Sequence, residues 1–281
     1  MEIRNLKNIN VEELLTVFNK SFSDYVVPFH LSLEQLQLKI ETEKIDMNLS
    51  VGVFESDKLE GFILQAWKEE NGQHIIYNAG TGITKEYRGK GLVRKMYDFI
   101  MPVLKERKAD LLVLEVIDMN IPAIRAYENL GFKIVRRLLC FNGMIDLKEK
   151  NTEILIEEME NFQWEVFQSF WDIEPSWQNS AVILTGMEKK YRILGAYKNE
   201  QLVGYAVYNS ESRKVCQIAV DKNVRRQGVG SELFRAIGAL CAGQAVSVNN
   251  VDDISENTSA FLERKIGLKN WVSQFEMKRE V

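Results

Sequence analysis

The alternation of apolar and polar positions divides the chain into short strands and amphipathic helices, and the same order is met twice. In the first half, residues 2–6 read as a strand. Residues 10–18 read as a helix capped by Asn10, whose side-chain oxygen can take free N–H groups of the first turn. A second helix opens at a capping box, Ser32 with Gln35 three residues on. Residues 49–55, 61–67 and 74–83 read as strands, with turns at Ser56-Asp57 and Asn71-Gly72. From Leu92 the apolar positions Leu92, Val93, Met96, Phe99, Ile100, Val103 and Leu104 recur at helical spacing, and Pro102 predicts a kink or an end to that helix. Leu111–Ile117 is a near-continuous apolar run, the pattern of a strand covered on both faces. Asn120 caps the next helix, Pro122 sits in its first turn, Gly131 closes it, and residues 132–145 supply the last strands.

A polar stretch, Lys148-Glu149-Lys150-Asn151, then separates the halves. Beyond it come a strand at 152–157, a helix at 162–171 and three strands at 191–197, 202–209 and 214–220. Arg88 and Arg225, Gly91 and Gly228, Asn120 and Asn257, and Ala123 and Ala260 are each offset by 137 residues. Four ordered coincidences at one offset predict an internal duplication. With 281 residues the chain is long enough for two cores, expected at 1–148 and 152–281.

Each half carries a basic, glycine-bearing turn between a strand and a helix: Arg88-Gly89-Lys90-Gly91-Leu92-Val93-Arg94 and Arg225-Arg226-Gln227-Gly228-Val229-Gly230-Ser231. A glycine turn opening a helix presents unpaired N–H groups and the positive end of the helix dipole, which makes a phosphate cradle. A Walker A loop is excluded, because Gly89-Lys90 is followed by Gly91 and the leading position is Thr84. A dinucleotide fingerprint is excluded too, because Arg94 and Lys85 stand where its third glycine belongs. What fits is R-x-x-G-x-(G/A), followed from Leu114 to Phe132 by L-E-V-x-x-x-N-x-x-A-x-x-x-Y-E-x-x-G-F. In that order these segments resemble the signatures of the GCN5-related N-acetyltransferases, which bind acetyl-coenzyme A.

The resemblance implies two tandem folds of that family, mixed α/β with a mixed sheet. It implies an N-acetyltransferase that moves an acetyl group from acetyl-coenzyme A to a primary amine by direct attack in a ternary complex. No cysteine or serine stands where a covalent nucleophile would. Carried over residue by residue, the two loops together with Asn120 and Ala123 contact coenzyme A, and a backbone N–H near Ile83 or Val220 faces the thioester carbonyl. Tyr127, seven residues after Asn120, gives a proton to the departing thiolate, and Glu115, twelve residues before Tyr127, is the base. Both have plainer readings: Tyr127 shares a helical face with Ala123 and Leu130 and could be core, and Glu115 could pair with an arginine or cap an amide. Asp24, Tyr25 and His30 fall in the loop that lines the acceptor side in the family, and read on their own as surface residues. Val93 departs from the loop pattern. In the second half the phenol is missing, with Glu263 or Arg264 at its place and Asn249 or Asp252 at the base position. That half is expected to pack, to shape the acceptor cleft, or to hold a second coenzyme A without turnover. A coenzyme A-binding regulatory or scaffold protein is the competing reading.

Composition narrows the partners. A net charge of −4 and a pI near 5.5 give no footprint for nucleic acid or an anionic membrane. Cys140, Cys216 and Cys241 form no CxxC pair, and two histidines cannot complete a zinc set with them, so no metal is expected and the thiols read as buried and free. No run approaches the roughly 20 apolar residues of a membrane span, and no signal-peptide core is seen, so a cytoplasmic protein is expected. The acceptor stays open among small amines, antibiotics, amino acids and peptide N-termini.

Overall fold

The structure is a computed structural model that describes residues 1–27, 29–147 and 151–281, so most of the expected polar break, 148–150, lies outside the described residues. Two compact units are seen: Met1–Val135 together with Phe275–Val281, and Arg136–Gln274. The last strand therefore starts in one unit and ends in the other.

The first unit runs β1 (Glu2–Asn5), α1 (Val11–Phe22), α2 (Leu33–Thr42), β2 (Val51–Glu55), β3 (Lys58–Glu70), β4 (Gln73–Ile83), α3 (Leu92–Glu106), β5 (Leu111–Ile117), α4 (Ile121–Glu128) and the opening residues of β6 (Lys133–Gly143). Asn10 accepts from the N–H groups of Glu12 and Glu13, and the Ser32–Gln35 capping box is formed in both directions. Both hairpin turns need left-handed backbone, which Ser56, Asp57, Asn71 and Gly72 all adopt. Pro102 does not end α3, which continues to Glu106. The proline lies on the solvent face, where the carbonyl of Asp98 it leaves unpaired can be hydrated. The strand order is β1-β2-β3-β4-β5, and the closing residues of the last strand lie beside β5. The core between this sheet and α3 and α4 is built from Ile63, Met96, Ile100, Leu112, Leu114, Val116 and Phe132, and it includes Met277.

The feature that positions the site is a parting of strands. β4 and β5 pair in parallel only from Ile75–Leu111 to Asn78–Leu114, although both continue beyond. A bulge at Ala79, the extra residue between Asn78 opposite Gln65 and Gly80 opposite Leu64, turns β4 away at that point.

The second unit takes the rest of β6, then β7 (Leu155–Met159), α5 (Trp164–Ser169), α6 (Ala181–Leu184), β8 (Arg192–Lys198), β9 (Gln201–Asn209), β10 (Lys214–Val220), α7 (Val229–Leu240), β11 (Val246–Asp252), α8 (Glu256–Phe261) with a π-helical turn at Leu262–Ile266, and the first residues of β12 (Lys269–Glu280). The helix expected at 162–171 shortens to six residues, and the strand expected at 152–157 lies three residues later. β10 and β11 pair in parallel at Lys214–Ser247 and Val215–Val248 and then part, with a bulge at Cys216. Ala79 and Cys216 are again 137 residues apart, so the duplication extends to the bulge itself.

Candidate active site

In the first unit the glycine loop leaves β4 and enters α3 with Gly89 and Gly91 at φ of 75° and 70°, and a side chain at either would meet nothing within 4 Å. Gly91 is the N-cap of α3 and contributes no side chain, so no side chain caps the first-turn N–H groups. The arginines of the loop are occupied elsewhere. Arg88 donates to both carboxylate oxygens of Asp24 at 2.7 and 2.9 Å, and to the carbonyls of Ser21 and Ile83 at 2.8 and 3.0 Å. Its guanidinium thus ties the end of α1 to the end of β4, and holds the Asp24 carboxyl below its usual range. Arg94 donates to the carbonyl of Asn129 at the end of α4. Lys90 is exposed, with its ammonium over the ring of Tyr87. Leu92 is core, and half-buried Val93 packs against that core. What the loop offers a phosphate is therefore main chain, with Lys90 nearby.

Asn120 caps α4 through the N–H of Ala123 and donates to the hydroxyl of Tyr25, both at 3.2 Å. Tyr25 and Asp24, in the loop expected to line the acceptor side, are thereby parts of the site's frame, while His30 is exposed. Tyr127 is buried, its ring edge-on to Phe132 at 5.7 Å. Burial pushes its pKa up to about 12 against the opposing pull of the polar groups of Thr81 and Asn78, so the phenol is protonated at neutral pH. Glu115 lies on β5 between Leu114 and Val116, which face the α3–α4 core with Tyr127, so its carboxyl is on the opposite face of the strand. There it takes a hydrogen bond from Tyr77, whose pKa is raised by burial and then by Glu115, Glu43 and Glu276. Acid and base candidates therefore flank the parted strands from two sides.

The second unit repeats the frame and changes the chemistry. Arg225 donates to Asp172 and to the carbonyls of Val220 and Phe170, as Arg88 does to Asp24, Ile83 and Ser21. Gly228 holds the αL position before α7, at φ 88°, and Arg226 takes φ 62° where the first loop has Gly89. The side chain of Asn151 lies over this loop, donating to the carbonyl of Gln227, and a Cβ on Gly228 would meet its nitrogen at 3.0 Å. Lys198 donates to the amide oxygen of Gln227, Val229 is core, and Ser231 is buried in the first turn of α7. Gly230 is small because the ring of Phe261 lies 3.0 Å from where its Cβ would be, so this glycine serves packing, and Val93 in the first loop needs no such space. A cavity of about 730 Å³ runs from Arg226, Gly228 and Gly230 to Cys216, Gln217 and Tyr205 at the parting of β10 and β11. All three cysteines are buried and none is in a disulfide.

Strand register corrects the expected correspondences in this half. Leu114 faces Asn78 and Val248 faces Val215, so Glu115 corresponds to Asn249, not to Asp252. The N-cap of α8 is Ser255, which leaves Asn257 and Ala260 inside the helix, because α7 is three residues shorter than α3 and the 137-residue offset ends there. Phe132 donates to the carbonyl of Tyr127 and Leu268 to that of Leu262, so buried Leu262, and neither Glu263 nor Arg264, stands in the place of the phenol.

The acetyltransferase (GNAT) family signature matches residues 12–132, and the acetyltransferase (GNAT) domain signature matches 158–276. The chain belongs to the GNAT acetyltransferases. Among similar proteins, a probable spermine N(1)-acetyltransferase of Bacillus subtilis subsp. natto is 27% identical over 147 residues, which are 48% of this chain and 90% of that one. The mycothiol acetyltransferase of Corynebacterium aurimucosum is 28% identical over 123 residues, 41% of this chain and 40% of that one. Among solved structures, a GCN5-related N-acetyltransferase from Sphaerobacter thermophilus superposes with a TM-score of 0.77 at 15% identity, covering 99% of this chain and 95% of that one. Both GNAT domains of the chain thus have the acetyltransferase fold. Among the described residues no cluster of His, Cys, Asp and Glu could hold a metal, and no helix is long and apolar enough to cross a membrane.

Proposed function

We propose that this GNAT protein transfers an acetyl group from acetyl-coenzyme A to an amine, with the chemistry in the first unit. The observation that carries the reading is the protonated, buried Tyr127 phenol beside the parted β4 and β5, together with a glycine loop that has open space at Gly89 and Gly91 and no side chain capping α3. Acetyl-coenzyme A supplies an acetyl group activated as a thioester. The main chain of residues 88–94 holds its pyrophosphate at the positive end of α3, with Asn120 and Ala123 at the start of α4 alongside. The backbone near Ile83 faces the thioester carbonyl. Glu115 takes the proton that the amine sheds as the C–N bond forms, and Tyr127 gives its proton to sulfur as the C–S bond breaks. The name of the Bacillus relative makes spermine the first acceptor to try. The second unit, with Leu262 for the phenol and Asn249 for the base, holds a second coenzyme A in its cavity without turning it over.

Two substitutions test this division. Gly91→Glu puts bulk and negative charge into the first cradle and is expected to abolish release of thiol from acetyl-coenzyme A with spermine. Gly91→Asn, which tolerates left-handed backbone, should keep most of it. Gly228→Glu should remove one coenzyme A equivalent in calorimetry and leave turnover intact. Loss of turnover only in Gly228→Glu would place the chemistry in the second unit, and no thiol release by the unaltered protein with any amine tried would favour coenzyme A binding without catalysis.

A further inference from the structure

We infer that Asn78, with Thr81, is a positioning residue for the Tyr127 phenol, an inference that rests on Tyr127 being the proton donor. Asn78 is the last residue of β4 paired with β5, and it is buried. Its amide nitrogen donates to Thr81 Oγ1 at 2.8 Å and to the hydroxyl of Tyr97 at 3.0 Å. Its carbonyl oxygen accepts from the N–H of Gly80 at 3.0 Å and faces the Thr81 hydroxyl at 3.2 Å. An amide held at both ends in this way keeps one orientation. Tyr97 and Tyr127 lie edge-on to the same Phe132 ring, each at 5.7 Å, so the two phenols and the amide form one packed group. With both amide hydrogens of Asn78 used on Thr81 and Tyr97, the Thr81 hydroxyl is the group left to face the Tyr127 oxygen, oriented by Asn78 in the sense that favours the ionised phenol. The phenol's own proton is then directed away from this bracket, free for a leaving group.

The duplication supplies a control inside the same chain. The places of Asn78, Thr81 and Tyr97 in the second unit, each 137 residues on, are held by Val215, Ile218 and Phe234, and that of Tyr127 by Leu262. Val215, Phe234 and Leu262 are fully buried. The same strands, bulge and helices thus form with no polar group at any of the four places. Buried polar groups carry a desolvation cost that apolar residues there would avoid. Four kept together in one unit, and none in the other, go with the proton donor and not with the fold.

The test is a double-mutant cycle between Asn78→Val and Tyr127→Phe, with acetyl-coenzyme A and spermine as substrates. Asn78→Val should lower kcat about tenfold, the scale of one lost hydrogen bond, with the KM for acetyl-coenzyme A unchanged. In the Tyr127→Phe background it should lower kcat no further, because the group it acts through is gone. Thr81→Val should behave alike, and Asn78→Val with Tyr97→Phe, the pair the second unit carries, guards against misfolding from an orphaned Tyr97 hydroxyl. An unchanged kcat in properly melting variants, or an equal fractional loss with and without the Tyr127 hydroxyl, overturns the inference. If Tyr127→Phe alone leaves kcat unchanged, or the unaltered protein releases no thiol, the proton-donor reading falls and this one with it.

Discussion

Tyr127→Phe is expected to lower turnover by about 10²–10⁴ while leaving the melting temperature almost where it was, the range associated with a positioned general acid. The substitution keeps the ring against Phe132 and removes one hydroxyl. Thr81 and Asn78 still satisfy one another, so the cost in stability is about 1 kcal/mol at most. A tyrosine that served only as core would give near-normal thiol release, with whatever change there was appearing in the melt. Steady-state rates measured beside a thermal denaturation curve tell the two apart. With its pKa at about 12, Tyr127 stays protonated across the pH range of an ordinary assay, so a fall in rate below pH 9 has to come from another group.

Stopping the chain after Gln274 should unfold the first unit, even though the lost residues are far from it in sequence. The segment Phe275–Val281 belongs to that unit, Met277 is fully buried in its core, and the strand it closes lies beside β5. Deleting one such side chain costs about 2–5 kcal/mol, and a domain's whole stability is about 5–15 kcal/mol. Removing the strand takes its ladder of backbone hydrogen bonds as well. Met277→Ala should remain folded and melt lower, by an amount that falls within the single-residue range. Hydrogen exchange at Leu112, Leu114 and Val116 reads the result, and protection persisting there in the shortened chain would show that the strand is dispensable.

Much of this was legible in the sequence wherever backbone geometry restricts the residue. Gly91 and Gly228 stand at left-handed positions before a helix, and Ser32 with Gln35 is a cap that few other sequences make. The apolar run of β5 and the helical spacing of α3 follow from burial in the same way. The offset of 137 residues failed beyond α7 because it assumes equal helix lengths, so it placed a cap on Asn257 that belongs to Ser255. Pairing partners were not legible, since a period of two tells which face of a strand is buried but not which strand lies alongside; β12 is the case in point. Nor were Asn78, Thr81 and Tyr97, each an isolated polar residue in an apolar segment whose role appears only when the three meet. The committed guanidiniums of Arg88 and Arg225 were hidden for a similar reason, because Asp24 and Asp172 sit in loops with no motif of their own.

The division of the last strand between two units also sets an order on biosynthesis. A domain usually closes as its own residues leave the ribosome, N-terminal first. Here residues Met1–Val135 emerge with β5 still lacking its neighbour, and the second unit, Arg136–Gln274, is made in full before Phe275–Val281 arrives. At the usual 5–20 residues per second that interval is roughly 7 to 30 seconds, during which one edge of β5 presents unpaired N–H and C=O groups and an apolar face. The N-terminal unit, although synthesised first, is the last to be completed.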